Sequence, residues 1–280
     1  MSYFRLLGLE KEPFSTSPDP AFFYESASHK AALYRLQIAV KLKRGLSVLV
    51  GDVGSGKTTL SRRLSQLLKR QEKVSCHMIL NPIYETESQF LAALLKTFKI
   101  TPPSPLPIVE SLELLEHYLY ERGVEAGETV VLLIDEAQRL SPAALELLRA
   151  LLNYETNEHK LLQLILIGQL ELLPRIRGMK NFWDRISLRQ MLNPLEEPEV
   201  AAMIAFRLRQ AGYASHRGLF TREAVQEIYR HSQGYPRRIT KLCHDALEQL
   251  VLANREDVDS AIIHRLIKAD DHLLGELVPS

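Results

Sequence analysis

The sequence has few cysteines and no long apolar run. Its only cysteines among 280 residues, Cys76 and Cys243, lie far apart in apolar surroundings, which argues against a disulfide framework. A histidine follows each of them, but no second cluster has metal-ligand spacing, so we interpret both pairs as structural. No apolar stretch approaches the length of a membrane span, and Met1–Arg5 does not resemble the start of a signal peptide. We therefore expect a soluble protein of the reducing cytoplasm.

The charge balance is almost neutral. The chain has 35 lysines and arginines against 34 acidic residues, for a net charge of +1. Such a balance offers no overall attraction to nucleic acid or to a membrane, so any partner of that kind must be met by a local patch. Basic turns occur at Lys41–Arg44 and Lys69–Lys73, but turns of this kind are more typical of solvated faces.

A glycine-rich segment, Gly51–Thr59, separates an apolar run from a helical pattern. Leu46–Val50 has strand character, and Leu60–Leu68 repeats leucine at helical spacing. The full G-x-x-x-x-G-K-T pattern between a strand and a helix is typical of a phosphate-binding loop. A chance glycine turn would not require a strand before it or a helix after it. We therefore predict that the nucleotide is bound by Gly51, Asp52, Val53, Gly54, Ser55, Gly56, Lys57, Thr58 and Thr59.

Two side chains of this loop are expected to have separate tasks. The loop amides would converge on phosphates at the positive end of the following helix. Lys57 would reach the β- and γ-phosphates, and the Thr58 hydroxyl would ligate Mg²⁺. ATP and Mg²⁺ are therefore the predicted ligands.

A second motif follows an apolar run further along the chain. Val130–Ile134 is apolar at every position, as in a strand of a parallel sheet covered on both faces, and Asp135 and Glu136 follow it. We expect this strand to lie next to the phosphate-loop strand, with Asp135 holding the Mg²⁺ shell and Glu136 activating the attacking water. In the alternative, Asp135 caps the next turn and Glu136 is merely solvated.

Two further strands follow, each associated with a candidate side chain. Leu164–Ile167 is a buried-strand pattern followed by Gln169, which would sit between the two motifs and touch the γ-phosphate or the water, or else bond a loop backbone. Ser187–Leu192 predicts a fifth strand, directly preceded by Arg185.

Arg185 is the preferred candidate for an arginine that completes a neighbouring subunit's site, because such a cation stabilises charge during phosphoryl transfer. Arg175 and Arg177 are the other candidates for this role. In the alternative, Arg185 has only a structural role, in a salt bridge with Asp184 or Glu136.

From Pro198 onward the pattern is helical only. Thr221 and Asp259 are predicted helix caps, and Gly234–Arg238 is a turn that delivers Arg237 and Arg238 to the start of a helix. Arginines at a helix start suggest that this turn binds an external anion. A basic turn that is simply exposed to solvent is an equally weighted alternative. The helices are predicted over Pro198–Ala211, Thr221–Ser232, Pro236–Ala253 and Asp259–Ala269.

With these residues the chain resembles an AAA+ ATPase, a P-loop domain followed by a helical lid. Gly51–Thr58 matches Walker A and Asp135–Glu136 matches Walker B. The resemblance implies that Gln169 occupies the sensor 1 position, that Arg185 is the arginine finger and that Arg237 is the sensor 2 arginine. Glutamine departs from the asparagine or threonine often found at sensor 1.

A closer resemblance is to the ExeA/GspA-type ATPases of bacterial secretion and pilus assembly. Secretion members usually continue into a membrane helix and a peptidoglycan-binding region, whereas the given sequence ends after the lid, and the same module also resembles stand-alone helper ATPases of Mu-like transposons. The residues that carry the resemblance are Tyr3, Leu7–Leu9, Pro13–Phe14, Ser17–Pro20, His29, Gly51–Leu60, Asp135–Gln138, Leu152–Thr156, Ile167–Gln169 and Gly234–Ile239.

The resulting prediction is an α/β protein with a five-stranded parallel sheet and a small helical lid. Its domains are an irregular arm (1–30), a P-loop core (31–194) and the lid (195–280). It would hydrolyse Mg-ATP as a homo-oligomer, a ring or filament of hexamer-like size, with nucleotide state controlling assembly in a secretion or pilus system. The alternatives are a transposition regulator that binds double-stranded DNA with ATP, and a nucleotide-gated scaffold with negligible turnover.

Overall fold

The computed structural model describes residues 2–15, 19–102, 106–157, 159–215 and 218–277, with side chains described up to residue 270. Ser17 and Pro18, which contribute to the family resemblance, lie outside the described residues. The chain divides into two compact units. We call them the core unit (27–53 and 57–192) and the helical unit (1–26, 54–56 and 193–280).

A five-stranded sheet with the order β2-β3-β4-β1-β5 forms the centre of the core unit. All of its pairings are parallel, and β1, β3 and β4 are buried almost throughout, as expected when helices cover both faces. This confirms the predicted fold class. The strands are β1 (Leu46–Gly51), β2 (Val74–Ile79), β3 (Thr129–Ile134), β4 (Leu162–Gly168) and β5 (Ile186–Leu192).

The sheet order corrects one expectation about neighbouring strands. β3, which leads into Asp135, pairs with β2 and β4, and β4 pairs with β1. The prediction that the Asp135 strand lies next to the phosphate-loop strand was therefore wrong, because an apolar run reports burial on both faces but not which strand lies beside it. β4, which leads to Gln169, lies between the two motif-bearing strands, as predicted.

Twelve α-helices are assigned within the described residues. The predicted caps are confirmed, since the Thr221 hydroxyl accepts from the Ala224 N–H at 3.2 Å and Asp259 Oδ1 accepts from the Ile262 N–H at 2.9 Å. The helices are α1 (Tyr3–Leu6), α2 (Ala27–Lys41), α3 (Lys57–Lys69), α4 (Glu87–Thr97), α5 (Ile108–Tyr120), α6 (Pro142–Leu151), α7 (Leu172–Arg177), α8 (Lys180–Trp183), α9 (Glu197–Gln210), α10 (Arg222–Ser232), α11 (Pro236–Leu252) and α12 (Ser260–Leu277).

The N-terminal arm folds with the helical unit. Leu9, Phe14 and Phe22 are buried in the same hydrophobic cluster as residues of α9, α10, α11 and α12. Arg207 on α9 anchors the arm, because its guanidinium donates to the carbonyls of Pro13 and Ser15 at 2.8 and 3.0 Å. Burial lowers the pKa of Arg207. The aperiodic aromatic pattern of the arm did not reveal this packing.

Among the helices of the described residues, none is both long enough and apolar enough to cross a bilayer.

Candidate nucleotide-binding site

The glycine-rich turn joins β1 to α3. Gly51 is the last residue of β1 and Lys57 is the first of α3, so the turn delivers the chain to a helix N-terminus. Gly54 and Gly56 have φ angles of 82° and 94°, a region that side chains other than glycine rarely adopt. These backbone conformations therefore explain why glycine occupies both positions of the turn.

Lys57 is buried beside two acidic side chains. It is 6% exposed, and its Nζ donates to the carbonyls of Gly51 and Asp52, each at 2.8 Å. Burial lowers the pKa of Lys57, while the charges of Glu136 and Asp135 act in the opposite direction. The structure thus brings the loop lysine and the acidic pair into one electrostatic environment.

Asp135 is held by several donors and is almost fully buried, at 1% exposure. Its Oδ1 accepts from the Glu136 N–H at 2.9 Å, its Oδ2 accepts from Ser61 Oγ at 3.1 Å, and it also has a side-chain hydrogen bond with Thr58. Burial raises the pKa of Asp135, and these hydrogen bonds oppose that effect. A hydroxyl and a carboxylate oxygen side by side are ligands that suit Mg²⁺, so Thr58 and Asp135 fit the predicted metal.

Ser61 is a site residue that the sequence analysis missed. It lies one turn into α3, and its Oγ contacts both the Thr58 carbonyl, at 2.8 Å, and Asp135. The available signal was its position three residues after Thr58, which places both residues on the same face of a helix. That position places Ser61 near Thr58, but it does not identify Asp135, 74 positions away, as its partner.

Glu136 follows Asp135 in an uncommon conformation. Its φ of 55° is left-handed, which few non-glycine residues adopt, and its side chain is half-buried. The amide Nε2 of Gln138 donates to Glu136 Oε2 at 2.6 Å, and Gln138 Oε1 accepts from the Gln169 N–H at 3.1 Å. Gln138 therefore connects the Asp135–Glu136 motif to the end of β4, a role that was not predicted.

The three candidate arginines differ in their surroundings. Arg185 is half-buried and its Nη1 donates to the Arg149 carbonyl at 3.1 Å. Arg175 is engaged by its own chain, because its guanidinium donates to the main-chain carbonyls of Gln138 and Leu140. Arg177 is exposed. The role of Arg185 in a neighbouring subunit stays a prediction.

Comparison with known proteins assigns this arrangement to a family. A profile described as "AAA domain" matches residues 40–176, the segment that contains the glycine-rich turn, Asp135, Glu136 and Gln169. "General secretion pathway protein A" of Aeromonas hydrophila is 39% identical over 247 residues, which is 88% of this chain. The chain is an AAA+ protein. It spans 44% of the length of that relative, so the whole relative's activity and partners do not transfer directly.

Solved structures support the same fold. The Aeropyrum pernix ORC2 protein in its ADPNP-ADP complexes superposes with a TM-score of 0.62 at 15% identity, covering 88% of this chain and 67% of that one. The Aeropyrum pernix ORC1 protein in complex with DNA superposes with a TM-score of 0.65 at 16% identity, covering 96% and 73%. At such low identity the likeness establishes the AAA+ fold alone.

Two remaining positions carry AAA+ roles only by resemblance. Gln169, at the sensor 1 position, is half-buried directly after β4, and its main-chain N–H is bonded to Gln138. Arg237, at the sensor 2 position, lies in the first turn of α11, and its N–H donates to the Gly54 carbonyl at 3.3 Å within the helical unit. Both side-chain roles stay predictions.

The two Cys-His pairs have protein partners. His77 Nδ1 contacts the Thr97 carbonyl at 2.8 Å, and its Nε2 contacts Ser75 Oγ at 2.9 Å. His244 Nδ1 lies 3.0 Å from both the Tyr3 hydroxyl and Glu12 Oε1. His244 also groups with Asp245 and Glu248, with ligand atoms within 4.8 Å of one another, but clusters of exposed acidic groups are common without any metal.

Proposed function

We propose that this AAA+ protein is a Mg²⁺-dependent ATP hydrolase whose nucleotide state controls the assembly of copies of the chain. The observation that carries the proposal is the meeting of two distant motifs. Ser61 Oγ, on the helix that follows the loop, lies 2.8 Å from the Thr58 carbonyl and donates to Asp135 Oδ2 at 3.1 Å. The charges of Glu136 and Asp135 also act on the pKa of the buried Lys57. This set of groups is the one needed to bind a triphosphate and to attack it with water.

The chemistry follows from the position of each group. The loop amides and Lys57 would bind the phosphates. On binding, Lys57 Nζ would exchange the carbonyls of Gly51 and Asp52 for phosphate oxygens. Thr58 and Asp135 would hold Mg²⁺, which when bound neutralises charge on the phosphates. Glu136 would accept a proton from water as the water oxygen bonds to the γ-phosphorus, while the bond to the ADP oxygen breaks.

The rest of the chain would make this reaction depend on assembly. Under the proposal, residues 1–30 form an arm, 31–194 the P-loop core and 195–280 the lid. Arg185 would complete the site of a neighbouring copy, giving a ring or filament of hexamer-like size. Arg237, in its G-x-x-R turn, would couple nucleotide state to the lid, and the Gln169 side chain would contact the γ-phosphate or the water.

The proposed setting is a secretion or pilus-assembly system. The support is the relative named for the general secretion pathway, which matches 88% of this chain. We propose the cytoplasm as its location, because this compartment supplies ATP. The partners would then be further copies of the chain and a component of the envelope machinery.

A turnover assay tests the central proposal. The purified chain should release phosphate from ATP in the presence of Mg²⁺, and EDTA in excess of the metal should stop the release without unfolding the protein. The fold can be followed by circular dichroism under both conditions. ATP binding with no phosphate release, in the presence or absence of DNA, would instead support the nucleotide-gated scaffold.

A second candidate function is a transposition regulator that binds double-stranded DNA together with ATP. The observation in its favour is the solved structure of a protein of this fold in complex with DNA. Titrating labelled duplex DNA at several salt concentrations, with and without ATP, separates the two candidates. ATP-dependent binding that weakens steeply with salt would favour the regulator, because a protein that neutralises phosphates releases counterions.

Replacing Arg185 with alanine should slow hydrolysis about 10²- to 10³-fold while leaving ATP affinity within about twofold of wild type. The reason is that a finger contributes charge stabilisation mainly in the transition state. Arg177→Ala is the matched control, because Arg177 is an exposed arginine of the same segment. Both variants are compared by initial rates and by binding of a fluorescent ATP analogue.

Mixing experiments show whether Arg185 acts on a neighbour. Arg185→Ala keeps an intact phosphate loop, and Lys57→Ala keeps Arg185, so a mixture of these two impaired variants should hydrolyse ATP faster than either variant alone. Recovery is expected because an interface between one copy of each variant combines an intact phosphate loop with an intact Arg185. An Arg185→Ala protein with full activity would remove the finger assignment.

A further inference from the structure

Gln138 uses both ends of its side-chain amide. The Nε2 donates to the Glu136 carboxylate at 2.6 Å, and the Oε1 accepts from the Gln169 N–H at 3.1 Å. The first bond is charge-assisted, since its acceptor is a carboxylate, and such bonds are stronger than neutral ones. One side chain therefore links the proposed base to the first residue after β4.

Gly168 lies directly against Gln138. A Cβ atom added to Gly168 would lie 2.9 Å from Gln138 Oε1 and 3.3 Å from its main-chain nitrogen. Both approaches are closer than ordinary van der Waals contact, so any larger residue at the end of β4 would push Gln138 aside. The glycine before Gln169 thus permits the hydrogen bond between these two segments.

The backbone that carries Gln138 is itself anchored. Residues Ala137–Arg139 form a short 3-10 helix, and Arg175 on α7 donates to the carbonyls of Gln138 and Leu140. These two hydrogen bonds from another element stabilise the turn from which the Gln138 side chain reaches Glu136.

We propose that Gln138 is the positioning residue of the hydrolytic site, fixing the Glu136 carboxylate and coupling its position to the end of β4. The proposal rests on the proposed hydrolysis of ATP. Gln138 bonds one oxygen of Glu136, Oε2, and so orients the other toward water. A shift of the Gln169 backbone on nucleotide binding would move the amide and, through it, the base.

The role requires an amide of this length. Methionine fills a similar volume but has no donor for Glu136. An ionised glutamate has the right length but lacks the donor and brings a second negative charge against Glu136. The groups facing Glu136 include Asp135 and Lys57, and neither variant changes them.

Gln138→Met is expected to lower kcat about 10- to 100-fold, the range found when the residue that orients an active group is removed. The dissociation constant for ATP should stay within about twofold of wild type, because Gln138 bonds Glu136 and not the phosphate loop. Gln138→Glu should lose at least as much kcat. Gln66→Met, an exposed glutamine on α3, is the matched control and should behave as wild type.

A double substitution separates positioning from general damage. In a Glu136→Ala background, Gln138→Met should change the residual single-turnover rate by less than about twofold, because the group it orients is gone. A further loss in that background, or a loss of ATP binding in both Gln138 variants, would make Gln138 a structural residue and overturn the proposal.

The remaining outcomes distinguish this proposal from the one on which it rests. If the wild type hydrolyses ATP and both Gln138 variants have the same kcat as the wild type, only the positioning role is overturned. A folded wild-type chain that binds ATP but never hydrolyses it would overturn the hydrolase, and the positioning role with it. Circular dichroism of every variant identifies a protein that has failed to fold.

Discussion

Lys57→Ala is expected to abolish ATP binding at micromolar nucleotide, weakening affinity at least about 10²-fold. The lysine is buried at the start of α3 next to Gly51 and Asp52, and alanine would remove the cation that meets the β- and γ-phosphates. Losing one charge from a desolvated charge pair costs about 3 kcal/mol or more, and each 1.4 kcal/mol corresponds to about tenfold in affinity.

The measurement is titration with a fluorescent ATP analogue in the presence of Mg²⁺. Lys69→Ala is the matched control, because Lys69 is an exposed lysine at the other end of the same helix and should bind as wild type does. Circular dichroism must show that Lys57→Ala is folded, since the carbonyls of Gly51 and Asp52 lose their donor. Unchanged affinity in a folded Lys57→Ala protein would contradict the phosphate-loop assignment.

Glu136→Gln should bind ATP about as tightly as wild type and yet hydrolyse it about 10²- to 10⁴-fold more slowly. Glutamine has the same shape, and its side-chain carbonyl can still accept from the Gln138 amide. What it lacks is the negative charge and the basic oxygen that accept a proton from water. Binding and turnover should therefore separate in this single variant.

Single-turnover hydrolysis and analogue binding measure the two effects independently. Glu171→Gln is the matched control, because Glu171 is an exposed carboxylate whose charge also reaches Lys57. If the loss arose merely from removing negative charge near Lys57, Glu171→Gln would reproduce part of it. Turnover of Glu136→Gln within about tenfold of wild type would mean that another group activates the water.

The main elements of the core unit were predictable because their signals are local. Gly51–Thr59 combines a strand, glycines and a helix start within a few residues, and two of its glycines have the positive φ angles that the motif requires. The apolar runs Val130–Ile134 and Leu164–Ile167 lie within the buried parallel strands β3 and β4. The helix caps at Thr221 and Asp259 were predictable for the same reason, since a cap involves residues only three positions apart.

The contacts between segments could not be predicted in the same way. Ser61 meets Asp135 across 74 positions of sequence, and Arg207 holds the arm across 194. The pattern of a strand says that both faces are buried but not that β4 separates β3 from β1. The sequence showed Gln138 only as part of the segment that carries the family resemblance, because its partner is the backbone of Gln169, directly after β4.

The sequence by itself determined the phosphate-loop motif, the buried strands, the acidic pair and the change to helices after Pro198. Each of these depends on residues close together along the chain, where steric limits and hydrophobic periodicity act directly. Only the tertiary structure decided the strand order, the packing of the arm with the helical unit, and the hydrogen bonds of Asp135 and Glu136 with Ser61 and Gln138. Those features depend on which surfaces meet when the chain folds, and side chains distant in sequence carry no mark of their future neighbours.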